Sequence, residues 1–508
     1  MKIARLLGKA AQLGSGRLGA DGRHRIDAVA VVSLTVLAVA FGLFRLDHNS
    51  VWLDEATSVA IARQDLAALV QQSWGPTEAG NMFLYYLLMH AAPWSLGSEV
   101  GARLLSVISA ALTVPFIYLT GRRMFDPLVG LLAAGLLTLN AFFVQYAQEA
   151  RSYALALLFV SAATYLFIRA IDGRSPRAWL AYAAVAALAL YAHYFAGIII
   201  LAHLAALPFR WPTEHRRWPF LAVAFIAVSS TPLAVAAIGY GNPLDWLTPP
   251  TPAVLVQAMA ALAGSRGLLL AYGSLWTIAI LGAIRSYRRR GPNTWSTYLT
   301  ALLGALPVGL SFAVSVMSTP VFLDRYLIVS LPGLVLLAAV GLAALRVRRP
   351  VLVLATVAIA LLAARTLSFY YANYEKEDWR TATASVTRQA QRGDGVILYP
   401  AYARKPFDFY VVRHPAATTL EPLFPSVAWG ADLPDENQPL SAGLDTQSLS
   451  AVDRVWVVCR YGPPDPEGLD GQALSAALGA HFRLAASESY TGVVVLFYER
   501  VGYPPRDG

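Results

Sequence analysis

DAVAVVSLTVLAVAFGLFRLDHNSVWLDEA, residues 27–56, holds the two signals on which the reading of this chain turns. Residues 27–45 are mostly apolar and long enough to cross the hydrocarbon core as a helix, which takes roughly 20 residues. Adjacent acids, Asp54 and Glu55, follow just past the span, at the start of a short helix expected to run to about Gln64. Six basic residues precede the span, among them Lys2, Lys9 and Arg25, and no short apolar core with a small-residue cleavage site is present. The stretch therefore reads as a retained first span with a cytoplasmic lead.

Ten further apolar segments lie downstream, near 104–121, 128–144, 154–170, 178–193, 194–209, 219–238, 268–284, 298–317, 326–345 and 351–368. With 56% apolar side chains, 14% charged ones and a mean hydropathy of +0.50, lipid is the expected solvent for most of the chain. From about residue 370, charge, Pro and Asp return at ordinary density. The expected fold class is mainly α: a polytopic domain over 1–369 with about eleven transmembrane helices, then a small extracytoplasmic α/β domain over 370–508.

The basic residues set the direction of the spans. Loops on the side of the N-terminus carry 21 Lys and Arg, against six on the other side: Arg45, Arg63, Arg103, Arg151, Arg266 and Arg325. That bias in short loops places the N-terminus in the cytoplasm and the C-terminal domain outside. The segment 81–94 (NMFLYYLLMHAAPW) is apolar but too short for a span, and is laid on the outer surface as an interfacial helix. The net charge of +9 has no basic face or aromatic-interleaved strip behind it, so no nucleic-acid partner is expected. A lone Cys459 excludes an internal disulfide and reads as a packed core thiol.

On this topology the outer loops collect the ionisable candidates. Asp54 and Glu55 sit at a helix N-terminus, which favours the ionised form, and fit either a cap with one solvated acid or a general base beside the membrane. Glu149 and Arg151, in the tight turn Gln148–Tyr153, fit an interfacial ion pair or an acid that binds a cation or orients an acceptor. His193 and Tyr194 lie in the next outer turn, where packing among aromatics competes with a ligand role. Arg325, in Asp324-Arg325-Tyr326, fits a solvated pair or bidentate recognition of a lipid phosphate. Lesser candidates are Glu78, His90 and Arg103, with Tyr85 and Tyr86 reading first as interfacial aromatics.

These pieces, in order, resemble the bacterial polyprenol-dependent glycosyltransferases of the GT-C fold, the group that includes relatives of protein O-mannosyltransferases and of the aminoarabinose transferase acting on lipid A. The stretches carrying the resemblance are Trp52–Glu55, Leu84–Leu88, Arg103–Ser106, Gln148–Tyr153, Asp324–Leu327 and Glu377–Arg380. Each is weak alone, and six in order at the expected places are strong. Residues 79–83 depart from the Pro-Pro or His-Pro pair that many relatives carry there.

The resemblance implies a bacterial inner-membrane enzyme that takes a sugar from a polyprenyl-phosphate-linked donor and passes it to a hydroxyl of a glycan, glycolipid or protein, inverting the anomeric centre. By the same resemblance Asp54 is the catalytic base, with Glu55 beside it, Glu149 is a second acid, and Arg325 meets the leaving phosphate. Tyr326, Arg151, Tyr153, His193, Tyr194, Tyr85 and Arg103 are expected around the substrates. A divalent cation, if one is used, would be held by Asp54 and Glu149.

In the C-terminal part, a helix near 379–391 and strands near 396–399, 455–459 and 493–498 suggest a small α/β sandwich, with a long loop over 423–448. Gly462-Pro463-Pro464 does not make a phosphate cradle. The domain is expected to act as a lid or acceptor-binding module, or simply to pack. A transporter or flippase is the main competing class, but it would place ionisable groups mid-membrane in two repeated halves. Here the acids lie at helix ends on one face and no repeat is evident.

Overall fold

The computed structural model describes residues 20–74, 81–92, 96–173, 175–212, 216–239, 244, 246–288, 294–433, 435–479 and 481–502. Glu78 and residues 79–80 of the unusual 79–83 segment fall outside them. Among the described residues, eight helices are long and apolar enough to cross a membrane, from Arg25–Leu43 to Arg349–Asn373. The predicted span 128–144 is a broken one: helices Pro127–Thr138 and Ala141–Ala147 meet at 63°. Asn140 makes the break, its Oδ1 accepting from Phe143 N at 2.9 Å while its Nδ2 donates to Leu262 O at 2.8 Å. An Asn N-cap restarts the helix in a new direction. Predicted spans 178–193 and 194–209 fall on the shorter helices Pro176–Ala192 and Ala196–Ala206, joined by the turn 193–195.

Helix Pro252–Ala263, outside the eleven expected segments, and helix Leu66–Trp74 between the first two spans were not legible as separate elements. Both are too short to stand out by hydropathy.

The span Asp324–Val347 is the centre of the bundle, with 89% of its apolar window buried, against 11% for Arg25–Leu43 at the rim. Glycine lets neighbours reach it: a Cβ on Gly333 would stand 2.1 Å from Gly304 N, and one on Gly341 2.0 Å from Leu275 O. Such backbone contact is how helices associate where lipid supplies no hydrophobic drive. At one end of the bundle Arg123 and Arg210 pair with Asp172, and Arg346 with Asp126. At the opposite end lie the acids, the turns at 148–152 and 193–195, and the C-terminal domain.

Helix Phe83–His90, expected to lie on the surface with its tyrosines at headgroup level, is instead packed inward, with Tyr85, Tyr86 and Met89 buried. Its mostly apolar sequence serves the protein core as well as an interface, and only tertiary contacts separate the two.

The last long helix continues to Asn373. Beyond it a five-stranded sheet has the order β2-β1-β3-β5-β4, with β1 Asp394–Tyr399, β2 Leu420–Phe424, β3 Arg454–Arg460, β4 Phe482–Tyr490 and β5 Val493–Arg500. β1 pairs in parallel with β2 and β3, and β5 antiparallel with β3 and β4. Alternation along the strands feeds two cores. Val396, Leu398, Trp456 and Val458 face helices Trp379–Gln389 and Arg404–Val411. Ile397, Val455, Val457 and the buried Cys459 face Leu440, Leu449 and helix Leu469–Gly479.

The three strands read from sequence are β1, β3 and β5. The two missed, β2 and β4, are the sheet edges; β4 is largely exposed and carries no alternating pattern. The segment 423–448, read as one long loop, begins inside β2, contains the short helix Leu440–Gly443 and ends inside helix Thr446–Ser450.

Candidate active site

Helix Leu53–Arg63 starts after an extended Trp52, and this start decides what Asp54 and Glu55 become. Successive helical residues point about 100° apart, so one acid faces inward and the other does not. Glu55 is fully buried. It accepts from Arg103 Nε at 2.8 Å, Arg103 Nη2 at 2.6 Å and Ala150 N at 2.9 Å. Arg103 Nη1 is spent on Leu46 O and Asn49 O, and its Nη2 also reaches Ser50 O. Burial alone would raise the Glu55 pKa, but Arg103 and then Lys376 outweigh it and hold it at about 2. This pair ties together the segment 46–55. Every nitrogen of Arg103 is engaged within the protein, and Glu55 lies sealed beneath it.

Asp54 remains partly exposed. Its Oδ2 lies 3.6 Å from Arg325 Nη1 and 3.9 Å from Arg151 Nε. These are ion pairs without hydrogen-bond contact, leaving the carboxylate open to a third partner. Arg151 also approaches Asp54 O, Ser58 Oγ and the Tyr86 hydroxyl.

Around the two arginines stands an aromatic wall. Tyr153 lies 5.8 Å from His193 and 6.3 Å from Tyr326, ring to ring, and His193 lies 4.9 Å from Tyr326. His193 Nδ1 accepts from Phe195 N at 3.2 Å, so the neutral ring carries its proton on Nε2. Burial, then Arg151 and Arg325, push the His193 pKa down to about 3. Four buried donors in this one cluster have no hydrogen-bond partner: Arg151 Nε, Arg325 Nε, Tyr153 Oη and His193 Nε2. Buried polar atoms are normally satisfied, and four orphan donors, two of them on guanidinium groups, describe a place for an anion.

Glu149, delivered by the bent helix Ala141–Ala147, does not pair with Arg151. Its Oε1 lies 3.5 Å from Lys376 Nζ and accepts from the Tyr374 hydroxyl at 3.3 Å. Lys376 Nζ also lies 3.4 Å from Glu55 Oε2. Burial raises the Glu149 pKa despite Lys376, with Glu55 and Asp54 adding to the rise. Lys376 was missed in the sequence because it sits in a plain run of charged residues, Glu375-Lys376-Glu377, 321 positions from Glu55.

The connector that carries Lys376 also pins the loop that carries Asp54. Ser50 Oγ donates to Glu377 O at 2.8 Å, Lys376 N to Asn49 Oδ1 at 3.1 Å, and Val51 N to the Tyr410 hydroxyl at 2.7 Å. Arg380 and the Tyr410 hydroxyl both meet Glu99.

Of the sequence candidates, the structure thus brings together Asp54, Glu149, Arg151, Tyr153, His193, Arg325 and Tyr326. Tyr85 stands behind them, its hydroxyl 3.0 Å from Ser106 Oγ, which in turn donates to Arg151 O. Tyr194 touches the group through its backbone neighbour, its own N donating to Asn81 Oδ1. His90 bonds to Ala62 O. The residues do not suit a divalent cation: Asp54 faces two guanidinium groups and Glu149 an ammonium. Among the described residues, no three His, Cys, Asp or Glu side chains gather as a metal site requires.

With this geometry in view, the similarities of the chain are informative. Residues 83–235 match the family described as dolichyl-phosphate-mannose-protein mannosyltransferase. The fold is similar to that of ArnT from Cupriavidus metallidurans bound to undecaprenyl phosphate, with 14% identity, a TM-score of 0.55, and 92% of this chain and 97% of that one covered. It is also similar to the oligosaccharyltransferase AglB from Archaeoglobus fulgidus in complex with an inhibitory peptide and a dolichol-phosphate, at 12% identity and a TM-score of 0.53, covering 95% and 75% of the two chains. No protein of curated function matches the sequence. The class is thereby defined: a multi-pass membrane protein with the GT-C glycosyltransferase fold. Within it, the segment matching the mannosyltransferase family carries Glu149, Arg151, Tyr153 and His193, four residues of the cluster around Asp54.

Proposed function

We propose that this chain is an inverting glycosyltransferase that moves a sugar from a polyprenyl-phosphate-linked donor to an acceptor hydroxyl at the outer face of the bacterial cytoplasmic membrane. The observation that carries the reading is the set of orphan donors on Arg151, Arg325, Tyr153 and His193, grouped within reach of one open carboxylate. A phosphate ester supplies the acceptors these groups lack.

The donor phosphate takes Arg325 and Arg151, drawing them from Asp54 and freeing that carboxylate to accept a proton. The acceptor hydroxyl then attacks the anomeric carbon from the face opposite the phosphate. A new carbon–oxygen bond forms, the bond to the phosphate oxygen breaks, and polyprenyl phosphate departs with the electron pair. The hydroxyl proton passes to Asp54. The guanidinium groups stabilise charge that grows on the phosphate in the transition state, and no acid is needed to protonate the leaving group. Neutral His193 adds one N–H donor without changing the site's charge. Lys376 and Glu149 act as positioning residues, holding the loop and the bent helix in register. No step is routed through a metal.

The orientation supporting this reading is the basic bias of the loops, with the N-terminus cytoplasmic and the C-terminal domain external. The test is mass spectrometry of cell-envelope glycans, glycolipids and glycoproteins with and without the protein, complemented by wild type or Asp54→Asn. The expected result is a sugar modification restored by wild type alone. Restoration by Asp54→Asn at the wild-type level would remove the base assignment.

A further inference from the structure

A cavity of about 230 Å³ lies beside the Asp54 cluster, where the connector 374–377 meets the outer loop on one side and the C-terminal domain on the other. Its walls include Trp52, Tyr374, Lys376, Tyr461, Thr491 and Gly492. Two buried donors on these walls have no hydrogen-bond partner, Trp52 Nε1 and Lys376 Nζ, and the lysine side chain is only 6% exposed. Its Nζ stands 3.4 Å from Glu55 Oε2 and 3.5 Å from Glu149 Oε1 as an ion pair with each, with no hydrogen bond to either.

The far wall is built at some conformational cost. Tyr461 has φ of 59°, a left-handed backbone that a bulky residue rarely adopts, and the residue is 71% exposed. The side chain is held by Glu377, whose Oε1 accepts from the Tyr461 hydroxyl at 2.9 Å and from Arg460 Nε at 2.8 Å. Trp379 Nε1 fixes the other oxygen of Glu377 at 2.7 Å. Opposite, Gly492 is also left-handed, and a Cβ there would stand 2.9 Å from Glu377 Cγ. Three distant segments are thus locked around one small space. An exposed aromatic is thus held in a strained backbone, braced by a saturated carboxylate and lying over Gly492.

We propose that this cavity is the subsite for a saccharide acceptor, holding the sugar ring next to the one whose hydroxyl reacts at Asp54. The proposal rests on the glycosyl-transfer reading above and commits to a carbohydrate acceptor. Aromatic faces with a few convergent polar groups suit a hydroxylated ring, which offers C–H patches to the rings and oxygens to the indole N–H and the ammonium. The neighbouring carboxylates of Glu375 and Glu377 would repel a phosphate. A space of about 230 Å³ is on the scale of a single sugar ring.

Saturation-transfer NMR on the full chain in lipid nanodiscs tests this without donor or turnover. The probes are methyl pyranosides of mannose, glucose, galactose and N-acetylglucosamine, with a blocked Ser/Thr hexapeptide beside them. At least one pyranoside is expected to bind with a Kd on the order of 1 mM, as suits a ligand of this size. Tyr461→Ala should weaken that binding about fivefold or more, and Tyr461→Phe, which keeps the ring, should largely retain it. Absence of transfer to every pyranoside, a Tyr461→Ala signal equal to wild type, or Tyr461-dependent transfer to the peptide alone would each overturn the subsite. Pyranoside binding that depends on Tyr461 in a protein that transfers no sugar would leave the subsite standing and remove the catalytic reading instead.

Discussion

Replacing Lys376 by methionine keeps most of the side-chain volume and removes one charge shared by two buried carboxylates. Glu55 keeps Arg103, but Glu149 loses the cation 3.5 Å from its Oε1. At that separation and an effective dielectric of about 20, the attraction is worth about 5 kcal/mol before desolvation is counted. Losing the lysine also removes its own burial cost, so the net loss should be about 2–3 kcal/mol. Thermal and denaturant unfolding of purified Lys376→Met, Glu149→Gln and the double variant measures it. The coupling energy of the cycle should be about 2 kcal/mol, because Glu149→Gln removes the charge the lysine serves.

The pH dependence has a fixed sign. Burial raises the Glu149 pKa above its ordinary 4.5, and without Lys376 it rises further. A carboxyl with a raised folded pKa contributes stability fully below its unfolded pKa and loses it as pH climbs through the folded value. The deficit of Lys376→Met should therefore be smaller near pH 4.5, where Glu55 is the ionised partner that still misses the lysine, and grow toward neutrality as Glu149 ionises. Additive effects in the cycle, or a deficit that grows in acid, would refute the placement of this ammonium between the two acids.

Three further outcomes follow from the site. Arg325→Ala should lower kcat/KM for the lipid donor by about 10–100-fold, the worth of a charge-assisted hydrogen bond, while leaving the acceptor KM nearly unchanged; initial rates with both substrates varied distinguish the two. Arg103→Met should cost about 3–5 kcal/mol in unfolding experiments by stranding Glu55, and Arg103→Lys should rescue little, since one ammonium cannot replace contacts to Glu55, Leu46, Asn49 and Ser50. Chelation of divalent cations should leave turnover within about twofold, because Asp54 and Glu149 already face cationic side chains; loss restored by added Mn²⁺ or Mg²⁺ would contradict that charge arrangement.

The sequence carried the solvent of the fold and the location of its chemistry. Spans were legible because a lipid solvent demands long apolar helices, and strands β1, β3 and β5 because buried central strands are apolar. Asp54, Glu149, Arg151, His193 and Arg325 could be picked out because charge at the end of an apolar helix is conspicuous.

Tertiary structure decided which of these groups meet and what each one does. Asp54 and Glu55 are neighbours with the same chemistry, and only the packing of helix Leu53–Arg63 against Arg103 leaves one open and buries the other. Lys376 and Tyr461 lie hundreds of residues from the outer loop, in unremarkable local sequence, and gain their surroundings when the C-terminal domain closes on Ser50–Trp52. Hydropathy is a property of segments and is therefore written along the chain; a site is a set of distances between segments, fixed only when the helices and the outer domain have packed.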